Sequence, residues 1–152
     1  MRGVYTATVA ISGLAGAKTL AYITAPSSKV VEILSAEVSN TSNATNQQLL
    51  ATLQRVTTLG TPTGTALTPA KHEAGDQAAG STAVGNVTAS EPTYTADTEV
   101  GRSGFASLAG WRFDPVPEER PIIAPSATLG LRMISTPTSF DALVRITFRE
   151  IG

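Results

Sequence analysis

Apolar and polar residues alternate along most of this chain with a period of two, the spacing that sends successive side chains to opposite faces of a β-strand. From Val4 to Ile11, the residues Tyr5, Ala7, Val9 and Ile11 share one face, while Val4, Thr6, Thr8 and Ala10 share the other. Ser12-Gly13-Leu14-Ala15-Gly16-Ala17 reads as a Gly-punctuated turn, and Thr19–Ile23 as a second strand ending before Pro26, so the two strands are expected to form a hairpin. Lys29–Val38 carries Glu and Leu, yet the β-branched Val30, Val31 and Ile33 and the turn cluster Ser39–Asn43 favour a strand over a helix. Gln47–Thr58 holds good helix formers, but Leu49, Ala51 and Leu53 alternate with Leu50, Thr52 and Gln54, and its tail Val56-Thr57-Thr58 is β-prone. These two segments are expected to pair as a second antiparallel unit.

From Leu59 to Asp97 the pattern weakens and the composition shifts to Gly, Pro, Thr and Ala. A stretch of that length with little periodicity reads as an excursion from a compact domain, with a short strand near Thr82–Ala89 and otherwise an exposed loop or an arm reaching a neighbouring subunit. Apolar character returns with Phe105, Leu108 and the single tryptophan, Trp111. Pro115, Pro117 and Pro121 then impose an extended or turning path. Ile122–Ala124 and Thr128–Ile134 read as strands. Phe140–Glu150 gives the cleanest alternation, with Ala142, Val144, Ile146 and Phe148 facing inward and Arg145 and Arg149 outward. The expected fold is an all-β, jelly-roll-like antiparallel β-sandwich or barrel of about eight or nine strands. A single domain should span residues 1–152, with the Gly/Thr/Pro-rich excursion at about 59–97.

Composition narrows the role. A formal net charge of -1 over 152 residues provides no basic field for a nucleic-acid backbone, and the arginines are scattered over separate segments. The chain has no cysteine, which excludes a disulfide framework and a thiolate metal site, and one histidine, His72. Neither a signal-peptide pattern at Met1–Val9 nor a window of about 18 apolar residues is found, so a soluble product made in a cytoplasm is expected, bound to neither nucleic acid nor membrane.

The motifs that invite a chemical reading each fail on context. Gly13–Thr19 looks like a phosphate loop, but Ala17 precedes Lys18 and the next segment is strand-like, with no helix N-terminus for phosphate. Asn40-Thr41-Ser42, Asn43-Ala44-Thr45 and Asn86-Val87-Thr88 match the glycosylation pattern, as chance allows in a chain rich in Thr and Ser. His72, Glu73 and Asp76 offer one nitrogen ligand where a transition-metal site needs three or four converging groups. Glu118 and Glu119 would point to opposite faces of an extended chain and so cannot flank one glycosidic bond. No Gly-x-Ser-x-Gly elbow occurs. Trp111-Arg112-Phe113 has the residue types of a stacking platform, but strand alternation puts Trp111 and Phe113 together on a core face with Arg112 outward. The expectation is a protein that is not an enzyme, with no cofactor and no metal.

Several runs resemble small virion proteins of tailed bacteriophages, the capsid decoration or cement proteins. They are Glu91-Pro92-Thr93-Tyr94-Thr95-Ala96, Trp111-Arg112-Phe113, Pro121-Ile122-Ile123-Ala124-Pro125, Gly130-Leu131 and Val144–Glu150. The similarity covers most of the chain in order and spacing. It implies a jelly-roll-like domain that associates with itself, as a trimer, and sits on the outer face of a mature capsid, clamping neighbouring major capsid subunits. On that reading the N-terminal strand and the 59–97 excursion are the contact arms, and Val4, Tyr5, Thr6, Pro92, Tyr94 and Arg112 are the expected interface residues. The competing readings are a carbohydrate-binding head-fibre or tail component using Trp111, and a small enzyme built around His72.

Overall fold

The computed structural model describes residues 3–42 and 45–152. Among them are twelve β-strands, one 3-10 turn at Pro117–Glu119 and no α-helix. The strands are β1 (Val4–Leu14), β2 (Lys18–Thr24), β3 (Val30–Asn40), β4 (Gln48–Thr58), β5 (Thr63–Leu67) and β6 (Ala70–Lys71). They continue with β7 (Thr82–Ala89), β8 (Thr93–Ala106), β9 (Trp111–Phe113), β10 (Ile122–Ile123), β11 (Thr128–Met133) and β12 (Phe140–Ile151). The strand count exceeds the eight or nine expected because the excursion contributes β5 and β6 besides the expected β7, and the chain from Thr93 to Phe113 divides into β8 and β9.

All pairings are antiparallel, and the strands form two packed six-stranded sheets, neither closed into a barrel. One runs β10-β3-β12-β1-β6, with β9 pairing to β3 beside β10; the other runs β5-β7-β2-β11-β4-β8. The chain therefore changes sheet at nearly every early connection, which overturns two expected pairings. β1 and β2 do not form a hairpin: β1 pairs with β12 and β6, and β2 with β11 and β7. β3 and β4 do not pair either, since β3 lies beside β12 and β4 beside β11 and β8. The reason is burial. Each of these strands has a strongly apolar face, and an arch from one sheet to the other lets two such faces meet, whereas a flat hairpin would set them side by side.

The core between the sheets is aliphatic, with Ile11, Leu20, Ile33, Leu131 and Ile146 at most 2 % exposed and Phe148 fully buried. In β12 the inward set is the one the alternation predicts: Ala142, Val144, Ile146 and Phe148 are buried and Arg145 is exposed. Tyr5 stands over Phe148 with ring centroids 5.7 Å apart.

The excursion is paired chain, not a loose loop. β7 extends the second sheet beyond β2, β5 pairs with β7, and β6 pairs with β1 at Tyr5 and Thr6, so the edge of β2 and the start of the edge of β1 are covered from within the chain. Unpaired edges invite association with other chains, and covering them lowers that hazard at those positions. Hydrogen bonds fasten the segment down: Gly3 N donates to Asp76 Oδ2 at 2.7 Å, Tyr5 Oη to the Gln77 carbonyl at 3.0 Å, and the Ser81 amide and hydroxyl to Glu150 at 2.7 and 2.8 Å. Between β7 and β8 the chain passes from one side of the second sheet to the other, because β2, β11 and β4 lie between those two strands. Tyr94 lies against Gly130, which has no side chain to obstruct it. Its hydroxyl meets Thr19 Oγ1 at 2.5 Å, and Arg132 covers its ring at 4.1 Å.

The protein has three tyrosines, Tyr5, Tyr22 and Tyr94, and all are raised above the ordinary phenol value of 10.0. Burial is the main cause in each; for Tyr94 it outweighs the lowering pull of Thr19 and Arg132 and pushes the group up to about 12. A raised phenol stabilises the fold fully below its unfolded value, and that contribution is lost as pH rises through the folded value. Spectrophotometric titration should accordingly show Tyr94 still un-ionised near pH 10 in the native chain, and the three phenols together ionising at higher pH than in the unfolded chain. A native titration no higher than that of the unfolded chain would show that the phenols are solvated.

Candidate functional site

The edge of the sandwich opposite the excursion is built differently. There β8 borders one sheet and β9 and β10 border the other, and among the described residues no further strand covers them. β8 is a long edge strand, and its register is broken at several points, with left-handed backbone at Asp97 (φ 57) and Gly101 (φ 64). Bulges and charge on an edge oppose open-ended strand addition, which leaves shaped side-chain contact as the way this edge can meet a partner.

A cleft of about 300 Å³ opens between β8 and the chain leaving β9. Phe113 lines it, with Arg102, Arg112, Asp114 and Glu119 around it. Gly101 is required here because any side chain at 101 would run into the Phe113 ring. Behind Phe113 the Trp111 ring is nearly parallel, at 6.3 Å between centroids and 9° between planes. Trp111 is 3 % exposed, and its indole N–H donates to Ser103 Oγ at 2.9 Å. A second hollow of about 230 Å³ flanks the other side of Arg112, bounded by Glu37 and Gly110. The charges neutralise one another: Arg112 meets Asp114 at 3.0 Å and Arg102 meets Glu99 at 2.6 Å. Among the described residues, three of the four large exposed apolar side chains, Leu108 (58 %), Val116 (56 %) and Ile122 (43 %), lie between β8 and β10 or on them along the chain. The cleft thus sets the Phe113 ring among charged side chains that are paired with one another.

The six expected interface residues are dispersed. Val4 and Tyr5 are buried in the chain's own core at 2 % and 3 % exposure, and Thr6, on the same strand, bonds to His72 Nε2 at 2.7 Å and Thr147 Oγ1 at 3.0 Å. Pro92 is buried and Tyr94 half-buried at the crossover on the other sheet. Arg112 is exposed and stands at the open edge, between its two hollows. Sequence reasoning took Leu108 and Ile122 only as apolar or strand residues, not as interface residues, and did not single out Val116; their signal is an apolar side chain beside a turn or proline.

Other singled-out residues have structural employment. Asp76 accepts from Gly3, and His72 is exposed on the turn after β6. Glu118 and Glu119 lie on the 3-10 turn and not on extended chain, and both are exposed. Gly13 lies within β1 and Ala15–Ala17 joins that strand to β2, which Lys18 opens, so no helix follows it. The Asn40 side chain accepts from the Ser42 amide at 2.8 Å; Asn43 lies outside the described residues. Among the described residues no three His, Cys, Asp or Glu side chains are grouped to hold a metal ion, and no helix is long and apolar enough to cross a membrane.

No protein-family profile matches this chain, and neither a curated protein nor a solved structure matches it.

Proposed function

We propose that this chain is a structural protein of a tailed-phage virion, a jelly-roll domain that decorates the capsid and binds neighbouring major capsid subunits through the β8–β9–β10 edge. The observation that carries the reading is the strand order. Setting aside β5, β6, β7 and the short β10, one sheet reads β1-β12-β3-β9 and the other β2-β11-β4-β8. That is the order produced when an eight-stranded ribbon of two Greek keys wraps into two facing sheets, an architecture recurrent in viral capsid and lectin domains. The excursion is then an insertion between the fourth and fifth strands of that plan. It covers one side of the sandwich and leaves the side carrying Leu108, Val116 and Ile122 for partners.

The work of such a protein is done by mass action. A ligand that binds the assembled lattice and not its dissociated subunits stabilises the lattice in proportion to its occupancy. Self-association into a trimer would let several modest contacts act together with the strength of one strong site. A lectin reading would need an aromatic platform, and Trp111 is turned inward.

Quantitative peptide mass spectrometry of purified virions tests the proposal. Copies comparable with the major capsid protein are expected, and absence from the particle overturns it. Leu108→Asp, at an exposed turn, should leave the fold intact and lower capsid occupancy at least tenfold; undiminished occupancy would remove this edge from the interface.

A further inference from the structure

The cover that the excursion gives β1 stops at Thr6. β6 pairs with Tyr5 and Thr6, and Pro69, which has no N–H to donate, stands where that ladder would continue. The register shows which main-chain groups are left over. The Gly3 carbonyl accepts from Glu150 N, and antiparallel pairs alternate, so Tyr5, Ala7, Val9 and Ile11 direct their N–H and C=O groups to β12. The residues between them direct theirs to the other side. There the Val4 carbonyl accepts from His72 N, whereas Thr8 and Ala10, both exposed, meet no partner strand among the described residues. The seam beside them is open: Thr65 on β5 pairs with Gly85, which packs on Val9, so Thr65 stands level with this stretch, yet it is exposed.

Among the described residues, the other sheet edges carry obstructions to strand addition. β8 has bulges and the charges of Asp97, Glu99 and Arg102, β5 has a register shift and a proline near each end, and β6, β9 and β10 are two or three residues long. Ala7-Thr8-Val9-Ala10-Ile11 has no charge, proline or glycine, and its register with β12 is unbroken. We propose that this edge receives an extended segment of a neighbouring major capsid subunit as an added strand beside β1. The inference rests on the capsid reading and deepens it, because β1 lies on the side of the sandwich opposite β9 and β10. A clamp needs two contact surfaces facing apart, so that one chain holds two subunits. The free groups belong to the main chain, so the segment is recognised by its extended backbone. Thr8, Ala10 and Ser12 offer no counter-charge, and the segment is uncharged where it meets them.

Amide hydrogen exchange of the wild-type chain, free and bound to purified capsid shells that lack it, tests the contact. In the free chain Thr8 and Ala10 should exchange rapidly while Ala7, Val9 and Ile11 exchange slowly; on the shells Thr8 and Ala10 should become protected. Ala10→Pro removes an outward N–H at an edge position, where strands tolerate proline, and should weaken shell binding about tenfold, whereas Ala10→Ser should bind as the wild type does. Binding with Thr8 and Ala10 still exchanging rapidly overturns this contact and leaves the capsid reading standing. Failure of the wild-type chain to bind shells overturns both. Protection already present in the free chain and lost on dilution also overturns the contact, because the added strand would then come from a second copy.

Discussion

Gly85→Ala is expected to destabilise the protein by about 3 kcal/mol, near the top of the usual range for overpacking a core. A Cβ at position 85 would lie 2.6 Å from Val9 Cγ1 and 2.7 Å from Val9 Cβ. Val9 cannot turn aside easily: it is β-branched, 7 % exposed, and carried on β1, which is held between β12 and β6. Relief requires β7 and β1 to separate. Val9→Ala alone should cost about 2 kcal/mol through the space it leaves, and the double variant should be more stable than the sum of the two by about 2 kcal/mol. Urea denaturation of the four proteins gives the coupling directly. Additive effects would show that β7 does not pack against β1, and with that the excursion would cease to be part of the core.

Glu150→Ala is expected to cost about 3 kcal/mol, at the lower end for breaking a buried ion pair. The Glu150 side chain is 2 % exposed and accepts three hydrogen bonds, from the Ser81 amide at 2.7 Å, the Ser81 hydroxyl at 2.8 Å and Lys29 Nζ at 3.0 Å. Its removal leaves the Ser81 groups unpaired at the start of β7, while Lys29, 33 % exposed, recovers some hydration, which keeps the cost from rising further. The same group sets an acid limit. Burial works to raise its pKa, but Ser81 and Lys29 together outweigh burial and hold it below the ordinary 4.5. The unfolded chain therefore binds this proton more readily, so the contribution is complete above the unfolded value and is lost as pH falls through the lower, folded one. Lys29 behaves in the opposite sense. The hydrogen bond and charge of Glu150 raise it above 10.5, so its share is complete below that value and is lost as pH rises through the raised one. Stability plotted against pH should lose part of its acid slope in Glu150→Gln, which keeps an acceptor for Ser81. An unchanged acid slope in that variant would assign the slope to other carboxylates.

In β12 the inward face could be read directly from the chain: Val144, Ile146 and Phe148 are buried as their alternation predicts, and β7 spans the expected Thr82–Ala89. In β1 the alternation grouped Tyr5, Ala7, Val9 and Ile11 on one face, and the fold buries that group. The inward place of Trp111 was legible too, because Arg112 separates it from Phe113 on a strand. The excursion was misread for a physical reason. β5 and β6 are short, made of Thr, Gly, Ala, Leu and Lys, and exposed along most of their length, so they carry no buried alternation to detect. Their conformation comes from hydrogen bonds to β7 and β1 and not from their own apolar pattern. The candidate edge was less legible still. Exposed apolar residues spaced along a segment have no period, and Leu108 and Val116 are marked only by their exposure in the fold.

By itself the sequence determined that this is an all-β chain, where most of its strands lie and, for β12, which side is buried, because those properties depend on neighbouring residues and the period of the backbone. Only the tertiary structure decided which strand lies beside which, that β1 and β2 belong to opposite sheets, and that the excursion covers one side of the sandwich and leaves the other open. Strand pairing is a contest among distant segments with similar apolar faces. It is settled by the packing of two whole sheets, with contacts as particular as Gly85 on Val9, and no local window of sequence contains that comparison.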